Sequence, residues 1–74
     1  MKVKELLDRF NVYFHIIQYY NRNTKEITIF ENQENNAMIV TSSFIAVHGD
    51  EKVADWRCNI DEEDSLEILI EVEE

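Results

Sequence analysis

The hydrophobic residues near the start of the chain recur at a helical spacing. Val3, Leu6, Leu7 and Phe10 occupy positions i, i+3, i+4 and i+7, with charged residues between them. This spacing places four apolar side chains on one stripe of an α-helix and the charges on the opposite side. The pattern predicts a helix of about nine residues that ends at Asn11. A helix this short is not stable by itself, so we expect its stripe to pack on the rest of the protein.

The period of the pattern changes after this helix. Residues 12–20 are rich in aromatic and β-branched side chains, which is typical of a strand. The even-numbered positions form one largely apolar face, and the other face carries Tyr13, His15, Ile17 and Tyr19. A strand with two apolar faces is either covered on both sides or presents one side to a partner.

A hairpin follows this strand. Residues 21–24 predict a turn, because asparagine tolerates left-handed backbone and its side chain bonds to nearby amides. Residues 25–31 alternate and are expected to pair back on the first strand, before a polar loop at residues 32–36.

Two more strands are predicted at residues 52–59 and 65–72, joined by an acidic loop at residues 60–64. In the last strand Leu66, Ile68, Ile70 and Val72 face one way, and Glu67, Leu69, Glu71 and Glu73 face the other.

Residues 37–48 leave two interpretations open. Residues 37–40 look like the start of a strand, after which Thr-Ser-Ser would cap a short helix over residues 44–48, ended by a left-handed Gly49. In the alternative, residues 44–47 are a strand that residues 48–51 join to the next strand. The β-branched residues favour the strand, whereas the serine cap and the single glycine favour the helix. We favour the short helix or turn.

These elements predict an α+β fold. An N-terminal helix packs on a four- to five-stranded antiparallel meander sheet, on the face that carries Leu66, Ile68 and Ile70. Residues 1–74 form a single domain, because the chain has no proline, one glycine and no stretch typical of a linker.

Charge is distributed unevenly. Residues 1–30 carry five basic and three acidic side chains, whereas residues 31–74 carry two basic and thirteen acidic ones, for a net charge of −9. Such a chain repels nucleic acid and anionic membranes and attracts basic surfaces. With 45% hydrophobic residues it is nevertheless too apolar for a disordered acidic tail.

The single cysteine, Cys58, and the absence of a signal-peptide pattern predict a cytoplasmic protein.

Three segments, in this order, resemble short uncharacterised proteins that are common in phages and prophages of low-GC Gram-positive bacteria. They are Lys4-Glu5-Leu6-Leu7, Lys52-Val53-Ala54-Asp55-Trp56 and Ser65-Leu66-Glu67-Ile68-Leu69-Ile70. The resemblance implies a short N-terminal helix, an antiparallel sheet and a phage-type setting. It implies no activity, because these proteins share no agreed one.

The residues that carry chemistry are scattered. His15, His48 and Cys58 lie in separate segments, whereas a structural zinc site needs four ligands, usually in closely spaced pairs. The acidic run at residues 61–64 lacks the glycine and glutamate that a calcium loop requires after it. The sequence therefore predicts no catalytic, cofactor-binding or metal-binding residues, and no enzyme activity.

One remaining function is a protein–protein interaction module that binds a partner protein or a second copy of itself. One short helix cannot cover both faces of the strand at residues 12–20, and aromatic side chains typically anchor interfaces. The candidate interface residues are Tyr13, Ile17, Tyr19, Phe30 and Trp56.

The alternative is an acidic decoy that imitates the phosphates of nucleic acid and inhibits a DNA-binding protein. Its candidate acidic surface is Asp61, Glu62, Glu63, Asp64, Glu67, Glu71 and Glu73. The same carboxylates also keep a small sheet soluble and protect an edge strand from aggregation. The sequence leaves open which of these roles they serve.

Overall fold

A helix–strand–strand order occurs twice along the chain. The computed structural model describes residues 1–60 and 65–73. Its elements are α1 (Val3–Phe10), β1 (Ile16–Asn21), β2 (Ile27–Phe30), α2 (Ala37–His48), β3 (Val53–Ile60) and β4 (Leu66–Val72). The predicted α+β class is confirmed, whereas the acidic loop predicted around residues 61–64 lies outside the described residues.

The first helix follows the predicted pattern. Three residues of its apolar stripe, Val3, Leu6 and Leu7, are buried. Glu5 accepts a hydrogen bond from the Lys2 amide at 3.1 Å, which satisfies one of the free N–H groups at the helix start. Asn11 ends the helix in the left-handed conformation, with φ 54° and ψ 28°.

The sheet is mixed, which corrects the predicted antiparallel meander. The strand order is β2-β1-β4-β3, with an antiparallel pair at each side and β1 parallel to β4 in the centre. Parallel neighbours require a long crossover connection, and α2 carries the chain from β2 to β3. The expected meander contained only short connections, because the pattern of residues 37–48 does not reveal one continuous helix.

The second helix confirms the predicted helical conformation of residues 44–48 and excludes the alternative strand there. The rest of the favoured interpretation is wrong. Residues 37–40 are the first turn of this helix and not a strand, and the cap is Asn36, whose side chain accepts from the Ile39 amide at 3.2 Å. Val40, Thr41 and Phe44 are its buried residues. No described helix is long and apolar enough to cross a membrane.

Gly49 ends α2 without the expected left-handed backbone. Its φ and ψ are −58° and −29°, and its N–H donates to the Ile45 oxygen at 2.8 Å. Its own oxygen accepts from the Lys4 amide at 3.0 Å, which joins the end of α2 to the start of α1. A Cβ at this position would lie 2.4 Å from the Ile45 oxygen. Close approach of the backbone, rather than a positive φ, therefore requires glycine here.

The first strand begins later than predicted. Thr41 Oγ1 accepts from the Phe14 amide at 2.8 Å and donates to the Phe14 oxygen at 3.3 Å. Next to it, the Leu66 amide donates to His15 Nδ1 at 3.0 Å. The His15 amide also donates to the Leu66 oxygen at 2.9 Å, so backbone bonding to β4 starts at His15. The Thr41 hydroxyl attaches the preceding residues to α2.

Both helices pack on the same face of the sheet. The buried side chains of β1 and β4, including Ile17 and Ile68, share one cluster with those of the helices. Three residues of the α1 stripe join the same buried cluster as Ile68 and Ile70, in agreement with the predicted packing, and Leu66 is partly buried against this cluster. The core residues are Val3, Leu6, Leu7, Phe14, Ile17, Tyr19, Val40, Phe44, Ile68, Ile70 and Val72.

Candidate interaction surface

The side of the sheet away from the helices, here called the open face, carries exposed apolar residues. Tyr20 lies beside Ile27, and Gln18 lies beside Ile29. Ile27 and Ile29, on the edge strand β2, are 74% and 57% exposed. Half-buried residues of β1 and β4 extend this area. The whole set, called the apolar patch, is Ile16, Tyr20, Ile27, Ile29 and Leu69.

Carboxylates border the apolar patch along the β4 side. The acidic row is defined as Glu67, Glu71 and Glu73. Glu67 and Glu71 lie on the open face, as the strand alternation predicts, and Glu73 follows directly after β4. Gln18 donates to Glu67, and Arg22 bonds to Glu71 at 2.7 Å and to Glu73 at 3.2 Å. These hydrogen bonds, the one to Glu71 foremost, raise the pKa of Arg22. Arg22 therefore neutralises part of the acidic row, and the other predicted acidic residues, 61–64, lie outside the described residues.

Two of the predicted interface residues belong to the core. Ile17 and Tyr19 are 0% and 2% exposed, so neither is available to a partner. The sequence placed them on an uncovered face because both faces of β1 are apolar. The helices cover the odd-numbered face of β1, and the even-numbered residues Ile16 and Tyr20 point to the open face.

The other three predicted residues do not form one surface. Tyr13 is 52% exposed but precedes β1. Phe30 is half-buried and packs edge-on against Phe44 with ring centroids 5.0 Å apart, so it lies on the helix side of β2. Trp56 is 40% exposed on β3 and packs edge-on against Phe10 at 5.2 Å.

A polar cluster joins the end of α2 to β1. The Tyr19 hydroxyl donates to Glu51 at 2.6 Å, His48 Nδ1 bonds to the other oxygen of Glu51, and the Tyr19 and His48 rings stack 4.0 Å apart. Burial, followed by the hydrogen bond to Glu51, raises the pKa of Tyr19 to about 12. The hydroxyl therefore stays protonated near neutral pH, and the cluster serves to hold α2 against the sheet. The sequence predicts that residue 48 lies at the end of a short helix or in a turn, and no local pattern indicates its contact with Tyr19 and Glu51.

The other chemically reactive residues lie apart. Among residues 1–60 and 65–73, no three His, Cys, Asp or Glu side chains lie close enough to hold a metal ion. His15 Nδ1 accepts from the Leu66 amide. Cys58 is exposed, and partial desolvation raises the pKa of its thiol, which disfavours the nucleophilic thiolate.

An open groove of about 530 Å³ separates α1 from α2. Its wall combines apolar side chains such as Leu7 and Ile45 with Lys4 and Asp8. Lys4 is already paired with Asp50 at 2.9 Å, and this hydrogen bond raises the pKa of Lys4. Lys4 is therefore engaged, and the remaining charged side chains of the wall, Glu5 and Asp8, are carboxylates. The described wall thus has no free cation to bind an anionic ligand.

The apolar patch is the site that sequence reasoning missed. Ile27 and Ile29 alternate with Glu26 and Thr28, so the sequence indicates a strand with one apolar face. Alternation alone does not say whether the apolar or the polar face is covered by the rest of the protein.

No family model, curated protein or solved structure matches this chain. Its surface is thus the basis for a functional proposal.

Proposed function

We propose that this protein is a non-catalytic protein–protein interaction module that binds a partner through the apolar patch. The observation that carries the proposal is the exposure of Ile27 and Ile29, at 74% and 57%, on a sheet face that no described element covers. Small soluble domains rarely leave contiguous apolar area on a regular surface without a use for it. Tyr20 supplies the aromatic anchor that interfaces favour.

The chemistry of the partner follows from the border of the patch. The acidic row lies along one side of it, and the chain carries a net charge of −9. A complementary partner therefore presents an apolar centre with lysine or arginine at its rim. Such charge complementarity mainly raises the rate and specificity of association.

A pair of charge-matched variants tests this proposal. Ile27→Lys/Ile29→Lys changes the patch, whereas Met38→Lys/Val47→Lys adds the same charge to exposed apolar positions of α2. We expect proteins captured by the wild type from the source cell to be lost with the first variant and retained with the second. Equal capture by both variants would contradict a role for the patch.

The acidic decoy remains a second proposal, supported by the placement of Glu67 and Glu71 on one face of β4. Alternate residues on a strand face repeat at roughly 6.6–6.8 Å, close to the phosphate spacing along one DNA strand of about 6–7 Å. Bridging by Arg22 reduces the free charge of the row. Under this proposal Glu67→Gln/Glu71→Gln/Glu73→Gln slows association with a DNA-binding protein, and added salt weakens the complex. A complex indifferent to both changes would leave the acidic row a solubilising surface.

The setting of the protein also belongs to this proposal. An exposed Cys58 in a chain with one cysteine fits a reducing, cytoplasmic compartment. The phage-type setting implied by the resemblance stays a prediction, which the neighbouring genes of the source genome test.

A further inference from the structure

The outer edge of β3 is open over most of its length. The strand lies at one end of the sheet, and only its start is covered, by an antiparallel bridge between Lys2 and Lys52. Residues 54–59 are exposed, and within the described part of the chain no other strand pairs with this edge. The Trp56 amide donates to the Asp55 carboxylate at 2.8 Å. Because residues of an antiparallel ladder bond alternately to either side, this amide points to the outer edge.

The charges beside this amide are complementary to a copy of themselves. Asp55 and Arg57 precede and follow Trp56 along β3, and their side chains lie on the open face, whereas Trp56 lies on the helix side. Neither Asp55 nor Arg57 forms an ion pair within the described residues. Consider two β3 strands paired antiparallel about a two-fold axis, with Trp56 opposite its own copy. Each Asp55 then lies opposite the Arg57 of the other chain.

The same charges disfavour the neighbouring registers. A pairing that keeps outward amides opposite each other shifts by whole steps of the ladder. One step in one direction sets Asp55 opposite a second Asp55, and one step in the other sets Arg57 opposite a second Arg57. Like charges directly opposite destabilise a strand pair. The register centred on Trp56 is therefore favoured over both.

We propose that two copies of this chain associate through antiparallel pairing of their β3 edges, centred on Trp56, into one continuous sheet. Asp55 releases the Trp56 amide to the second copy and accepts the Arg57 guanidinium instead. On the helix side, the two Trp56 rings approach each other beside the Phe10 rings they already contact. The pairing is independent of the proposed function, because the apolar patch stays uncovered and failure of either proposal leaves the other standing.

Charge reversal at the paired positions tests the association. Sedimentation velocity from micromolar to millimolar protein measures the dimer, with emission of the single tryptophan as a second readout. Asp55→Arg and Arg57→Asp each set like charges opposite, and we expect each to weaken dimerisation by about tenfold or more. The double variant Asp55→Arg/Arg57→Asp restores both ion pairs at unchanged net charge and is expected to associate like the wild type. Glu34→Arg and Lys25→Asp make the same charge changes at exposed positions away from β3.

A mixture of the two single variants gives the sharpest result. Each variant alone repels its own copy, but the introduced arginine of one lies opposite an aspartate of the other. We expect the mixture to form a heterodimer that neither component forms alone. Wild type that stays monomeric at millimolar concentration, single variants that dimerise normally, or a mixture that stays monomeric would each overturn the proposal.

Cross-linking tests the register. In the proposed pairing, position 56 lies opposite its own copy, with Cα atoms about 5.5 Å apart, which suits a disulfide. Mild oxidation of Trp56→Cys/Cys58→Ser by diamide is expected to give a dimer on a non-reducing gel. Wild type and Cys58→Ser/Asn59→Cys are expected to give none, and equal cross-linking from position 59 would show the register to be wrong.

Discussion

Tyr19 combines a buried ring with a hydroxyl that holds its proton unusually tightly. Its pKa is raised to about 12, so the folded protein keeps this proton at pH values where the unfolded chain, with a pKa near 10, loses it. The resulting stability is fully present below about pH 10 and is lost as the pH rises to about 12.

We expect this loss to amount to about 2–3 kcal/mol. Urea unfolding across that pH range measures it, with Tyr19→Phe as the control that lacks the titrating group. The wild type should lose more stability with pH than the variant does. Parallel pH profiles would contradict the raised pKa.

Ile68 tests the core at its centre. It is fully buried on β4, opposite Ile17. We expect Ile68→Ala to cost about 2–5 kcal/mol in the free energy of unfolding, because the substitution removes buried carbon and leaves a cavity. Thermal unfolding measures the effect, and Leu69→Ala, on the open face, is the control with a smaller expected loss. An unchanged melting temperature for Ile68→Ala would refute the packing.

At the scale of the elements, the end of α2 requires a residue without a side chain at position 49. An alanine that fits its backbone usually stabilises a protein by about 0.4–1 kcal/mol relative to glycine. Gly49→Ala is expected to do the opposite, at a cost of about 1–3 kcal/mol, because its Cβ meets the Ile45 oxygen. The midpoint of urea unfolding gives the sign. Ser43→Ala, on the exposed side of the same helix, is the control without a clash, and a stabilised Gly49→Ala would contradict the close approach.

The two helices differ in how far their sequences predict them. The charges of α1 alternate with a clear apolar stripe, so its pattern identifies both the helix and the face it buries. Residues 37–48 contain no Asp, Glu, Lys or Arg, and apolar residues occur on all sides of α2. Because no side of α2 is distinctly polar, the hydrophobic residues show no helical period that would identify the helix. Because the pattern does not indicate α2 as one helix, it also does not indicate the crossover connection that the parallel pairing of β1 and β4 requires.

The site could be predicted only in part, for a similar reason. β1 is apolar on both faces, so its sequence indicates that a second surface exists but not which residues form it. A shift of one residue exchanges the two faces. The tertiary contact of Thr41 with Phe14, which fixes where β1 begins, leaves no local signal.

At the scale of the whole molecule, net charge opposes self-association. Each copy carries −9, and the repulsion between two copies acts over their full surfaces. Raising the ionic strength from about 0.01 M to 0.15 M shortens the screening length from about 30 Å to 8 Å. We therefore expect the β3-paired dimer to tighten by about tenfold or more, since screening removes more repulsion than it costs the two ion pairs.

Sedimentation at a series of salt concentrations checks this expectation. The acidic decoy requires the opposite sign, because its complex with a basic protein weakens as salt is added. A dimer that dissociates with rising salt would contradict the balance of charges argued for β3 pairing.

The parallel contact between β1 and β4 also constrains the order in which the chain folds. The bond between His15 and Leu66 joins positions 51 residues apart. Either hairpin closes from local contacts, but Ile17 and Tyr19 stay without their neighbours Ile68 and Ile70 until β4 has been synthesised. A nascent chain that ends after β3 therefore still exposes its future core, and long-range pairing of this kind slows folding relative to a helical bundle of equal length.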